Sequence, residues 1–364
     1  NERAAVPVHI RAIAAKAQGN MSHPDLAAFD AKWEAVINAF KPRAQPKEVK
    51  PKEDGKVPLI DWDIDGTEEL EQELKSLSTP AKIRFLNARP GKVDVAVELA
   101  QKVCKWRAAV KPQSVTPDLL PHAIEQKVWR IGGWLKCGYP IAFVNAATWS
   151  PSSYYAVDEY IRYVGYMCEV LAARMGKGVT RWAICFDLGQ FNPEMVRPVA
   201  MRCISNLASI TQEVHCERLA AAFLCFYNKV FYYSWKLIKP LADQRTVRKF
   251  HWMQPKGATT IEEGQDLSKW IDKSSLEKRF GGDMEDGSWP AFTGNFEADV
   301  GTETPPPFDP TAPEPLEGAS EDPKPLRPAF LDNEKLDGDF ADAEAEDKVN
   351  KAAAEDEFAD ANED

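Results

Sequence analysis

From Tyr139 to Met253 the chain alternates short apolar runs with long amphipathic stretches, and this alternation is what most restricts its fold. The runs are 140–146 (PIAFVNA), 181–188 (RWAICFDL), 220–226 (AAAFLCF) and 247–253 (VRKFHWM), each the length of a buried strand. Between the first two, Val157, Ile161, Val164, Cys168, Leu171 and Met175 recur at helical spacing. After Asn192-Pro193 the stripe Val196, Val199, Cys203, Leu207, Ile210 and Val214 does the same. Strand, crossover helix and strand in succession predict an α/β fold with a mostly parallel sheet, and the stripes are its core.

The sequence ahead of this region has a different texture. Leu26, Phe29, Trp33, Val36 and Ile37 predict an accessory helix over 24–40, with Ser22 or His23 near its start. Residues 41–58 are rich in Pro, Lys and Glu without an apolar stripe and read as a linker. Three helical patterns follow between Glu68 and Arg107. The second has Thr79 as N-cap, Pro80 at its first position and Pro90-Gly91 after its end; the third covers 94–106. Beyond Phe280-Gly281-Gly282 periodicity is lost in a Pro-rich stretch and an acidic, Ala-rich end, expected to be extended or disordered. The predicted division is an N-terminal extension (1–58), a helical domain (59–115), the sheet domain (116–283) and a tail (284–364).

Charge excludes one class of function. The formal net charge is −11, and residues 332–364 alone hold 14 acidic residues against 3 lysines, so the rest of the chain is neutral and no nucleic-acid footprint is expected. Cys104, Cys137, Cys168, Cys185, Cys203, Cys216 and Cys225 include no C-x-x-C pair and read as buried free thiols. His9, His23, His122, His215 and His251 are too dispersed to suggest a metal set. There is no P-loop, G-x-G-x-x-G, G-x-S-x-G or H-E-x-x-H, so neither enzymatic activity nor a cofactor is expected. Asp187, followed by Leu188-Gly189, reads as a strand-ending turn residue. No apolar run is long enough to span a membrane. The chain opens at Asn1, so an organellar location after cleavage of a targeting peptide is one expectation; the other is the cytoplasm, at a membrane surface.

The stretch 226–241 carries Phe226, Tyr227, Phe231, Tyr232, Tyr233, Trp235, Leu237 and Ile238. That is more aromatic surface than a helix needs to cover one face of a core, and it predicts a helix that borders something other than ordinary packing.

Several blocks in order carry a family resemblance: Lys82-Ile83-Arg84-Phe85-Leu86 with Ala88-Arg89, then Trp106-Arg107, Phe186-Asp187-Leu188, Glu217-Arg218-Leu219, Lys239-Pro240-Leu241, Thr246 with Lys249, and 276–282 (LEKRFGG). Over roughly 81–282 the chain resembles the CRAL-TRIO family of lipid-transfer proteins, of the yeast phosphatidylinositol-transfer type. The resemblance implies the CRAL-TRIO lipid-binding fold: a mostly parallel sheet with flanking helices, an apolar pocket closed by a gate helix at 226–241, and a small helical domain in front. It further implies that Phe226, Phe231, Tyr232, Tyr233, Trp235 and Ile238 form gate and pocket, and that Arg107, Glu217, Thr246 and Lys249 hold a phosphatidylinositol headgroup. Those residue types suit it, because a phosphodiester needs cations and an inositol ring needs hydrogen-bonding partners. Trp182 and Ile184 occupy strand positions that bring hydroxyls to phosphatidylcholine in the family, so exchange of that lipid is not expected.

The implied function is non-enzymatic binding and transfer or presentation of an anionic phospholipid, with transient membrane contact and with protein partners for the extension and tail. Two other readings stand beside it: binding of another hydrophobic molecule, and a scaffolding role as a subunit of a larger assembly.

Overall fold

The computed structural model describes residues 22–43, 60, 62–149, 154–253 and 266–315. Residues 44–58 of the expected linker and the tail from 316 onward lie outside the described residues.

The N-terminal part is a layer of four helices. Helix α1 (Leu26–Ala39) buries Phe29 and Trp33, one turn apart, and the Trp33 Nε1 donates to Leu74 O at 3.1 Å in α2 (Glu68–Lys75). The accessory helix thus packs into the same layer as α2, α3 (Thr79–Ala88) and α4 (Val93–Val110). At α3, Ser78 rather than Thr79 stands at the N-cap, with Thr79 already helical. Helix α4 runs one turn beyond its expected end because Ala108, Ala109 and Val110 are buried. It stops where Lys111 turns left-handed (φ 51°) ahead of Pro112.

The sheet has five strands in chain order: β1 (Trp129–Trp134), β2 (Pro140–Asn145), β3 (Trp182–Asp187), β4 (Leu219–Cys225) and β5 (Phe250–Trp252). Strands β2 to β5 pair in parallel, and β1 pairs antiparallel with β2. Helix α5 (Pro121–Gln126) precedes β1, and α6 (Tyr154–Ala173) crosses from β2 to β3. Helix α7 (Pro198–Ser209), extended by a π-turn over Ile210–Val214, crosses to β4, and α8 (Lys229–Ile238) with the single-turn α9 (Gln244–Val247) leads to β5. The α/β expectation and the three long strands hold. Val247, read as strand, instead closes α9, because the Asp243 carboxylate accepts from Thr246 N at 2.6 Å and starts a helical turn there.

Alternation along the strands sends Val144, Ile184, Phe186, Ala222 and Leu224 to one face, where they line a cavity. On the other face Phe143 packs on Phe280 and Trp289, and Phe223 on Trp270, so that face is covered by residues 266–292. In the Leu276–Gly282 block Gly281 adopts φ 90°, and a Cβ on Gly282 would fall 1.8 Å from Leu276 O, so the glycines are steric requirements. Arg279 from the same block reaches Asp187 at the end of β3 (2.7 Å), while Asp187 Oδ1 also accepts from Gly189 N. Burial raises the Asp187 carboxyl above its usual range despite that arginine.

Residues 293–315 form an extended strap. Its short helix α10 (Phe296–Val300) ends on the buried Asp299, which accepts from Thr293 N, Thr293 Oγ1, Gly294 N and the Tyr166 hydroxyl (2.6 Å). Phe308 stacks on Tyr139, and the Pro306 carbonyl passes so close to Gly176 that a Cβ there would lie 1.9 Å from it.

Candidate lipid-binding site

The cavity lies between the sheet and helices α7 and α8. Its space, open mouth included, is about 1030 Å³, and nearly all its walls are apolar. Helix α8 begins at Asn228, whose side chain accepts from Phe231 N at 3.0 Å and donates to Phe191 O at 2.6 Å. From that start, Phe231, Trp235 and Ile238 fall on one side at i, i+4 and i+7 and line the cavity. Phe231 packs edge-on to Phe191, and Trp235 contacts Phe250 and Trp252. The outer side shows Tyr233 (46% exposed), Leu237 (45%) and Lys236. Tyr232 is half-buried against Tyr233. Phe226 lies before the helix with φ 55°, under the Arg279 guanidinium and against Phe280, outside the cavity lining. The aromatic stretch 226–241 is therefore a bend after β4, a helix of ten residues and a final 3-10 turn at Lys239–Leu241.

A second, polar pocket of about 470 Å³ adjoins this cavity. Arg89, Glu217, Asp243, Arg245, Thr246 and Lys249 furnish its charged and polar walls. Thr211, Gln212, Leu219 and Thr246 belong to the walls of both spaces. Gln212 ties the junction together, donating to Leu241 O (3.0 Å) and accepting from Asp243 N (2.7 Å). Glu217, two residues before β4, holds φ 60°, a costly conformation for a residue with a Cβ, and it pairs with Arg245 at 3.2 Å.

Three of the four residues expected at a headgroup, Glu217, Thr246 and Lys249, meet in this pocket, and Arg107 does not line it. Arg107 is committed to Glu73 (3.1 Å) and Glu169 (2.6 Å), and Gln113 donates to the other Glu169 oxygen. Arg89 and Arg245 are the cations that sequence reasoning gave no role. Both lie inside or beside quoted blocks, Arg89 at the C-cap of α3 and Arg245 just before Thr246.

The Arg107 cluster is an acid-sensitive element of the fold. Burial pushes the Glu169 carboxyl up, but Arg107 and then His215 outweigh it and hold it at about 2. Burial, helped by the charges of Arg107, Arg84 and Arg218, brings the His215 imidazole down to about 3, against the pull of Glu169 at 3.9 Å. Both groups bind protons more readily in the unfolded chain, so both contribute stability at neutral pH that acid removes. His215 acts as pH falls from 6.5 toward 3, and Glu169 from 4.5 toward 2. Urea unfolding across this range should show a slope of up to about 1.4 kcal/mol per pH unit where His215 acts alone and a steeper one below 4.5. His215→Gln should flatten the first part.

All seven cysteines are buried free thiols, with Cys104 and Cys203 pushed up to about 12 by burial. Among the described residues no set of three His, Cys, Asp or Glu could hold a metal ion, and no helix is long and apolar enough to cross a membrane.

Fold and site define a mixed α/β domain with an apolar cavity opening onto a charged pocket. Residues 125–282 match the family model described as the CRAL/TRIO domain, a match that supports the CRAL-TRIO family and binding of a lipid or other small hydrophobic molecule. The chain is similar to the protein "real-time" of Anopheles gambiae, 21% identical over 213 residues covering 55% of this chain and 31% of that protein. It is also similar to the protein of that name in Aedes aegypti, 20% identical over 228 residues covering 59% and 35%. The matches thus span about a third of these curated relatives. Among solved structures it resembles Sfh5 at 15% identity and a TM-score of 0.43, covering 64% of this chain and 81% of Sfh5.

Proposed function

We propose that this protein binds an anionic phospholipid, phosphatidylinositol or a related lipid, without catalysing a reaction, and transfers or presents it at a membrane surface. The observation that carries this reading is continuity between the two spaces. Four residues are common to both walls, so one molecule can keep its acyl chains against Phe231, Trp235 and Ile238 while its headgroup meets Glu217, Thr246 and Lys249. An amphiphile needs such a junction, because a charged headgroup enclosed by protein must be paired and hydrogen-bonded. Lys249 and Arg89 supply positive charge to the phosphate, and Glu217 accepts from ring hydroxyls. Helix α8 serves as the gate. Its outer face pairs exposed Tyr233 and Leu237 with Lys229 and Lys236, so an anionic bilayer that binds the open position better than the closed one shifts the population toward opening.

The test is native mass spectrometry with lipid extraction on the purified protein, comparing the unmodified chain with Lys249→Ala and Glu217→Ala. One co-purified anionic phospholipid, phosphatidylinositol or a related lipid, is expected, reduced about tenfold or more in Lys249→Ala, as the loss of a charged hydrogen bond implies. An empty cavity, or a neutral lipid held equally by all three proteins, overturns the headgroup assignment.

A further inference from the structure

Three cations and two carboxylates line the polar pocket, and two further arginines, Arg84 and Arg218, act on its Cys216 wall, which raises the positive charge beyond what a phosphodiester requires. Arg89, Arg245 and Lys249 come to its wall from three different elements, against the carboxylates of Glu217 and Asp243. Asp243 spends one oxygen on capping Thr246 N. The Cys216 thiol, itself part of the wall, lies within the fields of Arg84, Arg89 and Arg218 as well as that of Glu217, and the Nε atoms of Arg84 and Arg218 are buried without a hydrogen-bond partner. A phosphodiester such as that of phosphatidylinositol brings one negative charge, whereas a phosphomonoester brings about 1.5 to 2 at neutral pH and three acceptor oxygens.

Arg245 is built to respond to the difference. Its side chain is 56% exposed and engages Glu217 at 3.2 Å across the pocket. An ion pair so exposed contributes little, so the guanidinium can exchange Glu217 for a doubly charged phosphate at small cost and take up two of its oxygens in a forked contact. A singly charged diester gives Arg245 less reason to leave Glu217.

We infer that the polar pocket selects a lipid whose headgroup ends in a phosphomonoester, phosphatidate or a phosphorylated inositide, and that Arg245 sets this preference. The inference rests on the proposed reading of the two spaces as acyl and headgroup sites. A soluble phosphomonoester offers the same charge, but the shared walls at Leu219 and Thr246 lead into the apolar cavity, and that favours the lipid.

The experiment is extraction by the full chain from phosphatidylcholine vesicles doped with equal fractions of phosphatidate or phosphatidylinositol, with Arg245→Gln in parallel and glycerol 3-phosphate as soluble competitor. Phosphatidate should exceed phosphatidylinositol by about tenfold, and Arg245→Gln should bring that ratio close to one. Equal extraction of the two lipids, or an Arg245→Gln variant that keeps the ratio, overturns the inference and leaves the proposed function standing. Extraction of neither lipid overturns that function as well. Binding of glycerol 3-phosphate without extraction of phosphatidate assigns the pocket to a soluble ligand and overturns the lipid selection.

Discussion

Replacing Phe231 with aspartate is expected to cost at least about 3–5 kcal/mol of stability, since it removes a buried ring and puts a carboxylate among Phe191, Trp235 and Trp252. Tyr233→Asp, two residues on and facing outward, should change stability by less than about 1 kcal/mol. The two substitutions therefore separate the roles of α8. If its outer face meets a membrane, Tyr233→Asp keeps the urea midpoint and slows lipid transfer between anionic vesicles. Unchanged transfer by a folded Tyr233→Asp protein would remove the gate from the proposed function. A Phe231→Asp protein as stable as the original would contradict the inward placement of that ring.

Arg107→Ala is expected to cost about 3 kcal/mol near neutral pH. It strips Glu169 of the guanidinium that holds its carboxyl down, in a place only 12% exposed to water. Gln113 still donates to Glu169, which keeps the loss at the lower end of the range for a broken buried pair. The deficit should shrink below the ordinary carboxyl value of 4.5, where the variant's Glu169 is protonated and the original's is still ionised. Urea unfolding on both sides of that value measures it, and lipid extraction by the variant supplies the contrast. Retained lipid with lost stability fits an arginine that joins α4 to α6. Lost lipid with retained stability would instead return Arg107 to the headgroup.

The sheet was legible wherever a strand is buried on both faces, because such strands leave unbroken apolar runs: β4 is buried at every residue and β2 at all but its last. β1 left no such run. Its WRIGGW carries an arginine and two glycines, and Gly132 is there because a Cβ would fall 2.6 Å from the Phe143 ring, a contact fixed only once β1 lies on β2. The strap was illegible for a related reason. It is anchored at single points, Asp299 and Phe308, with no repeating face to produce a period. In α8 the spacing of Phe231, Trp235 and Ile238 was visible. Which aromatics turn outward depended on the start at Asn228, and the stretch taken from 226 put Phe226 and Tyr233 in one group although they do different things. The polar pocket was half legible. Glu217, Thr246 and Lys249 stand in motifs, whereas Arg89 and Arg245 gain their role only from the way α3 and α9 converge.

The CRAL/TRIO match ends at Gly282, but Trp289 and Phe292, which help to close the side of the sheet away from the cavity and its flanking helix, come later, and the strap reaches Tyr139 only at Phe308. During synthesis at about 5–20 residues per second, the ribosome therefore needs roughly 1–5 s after finishing the family domain to make its seal. For about the first 0.5–2 s of that interval, until Phe292 is added, Tyr163 and part of Phe143 lack their cover, and the nascent domain is an adhesive surface that a chaperone can recognise.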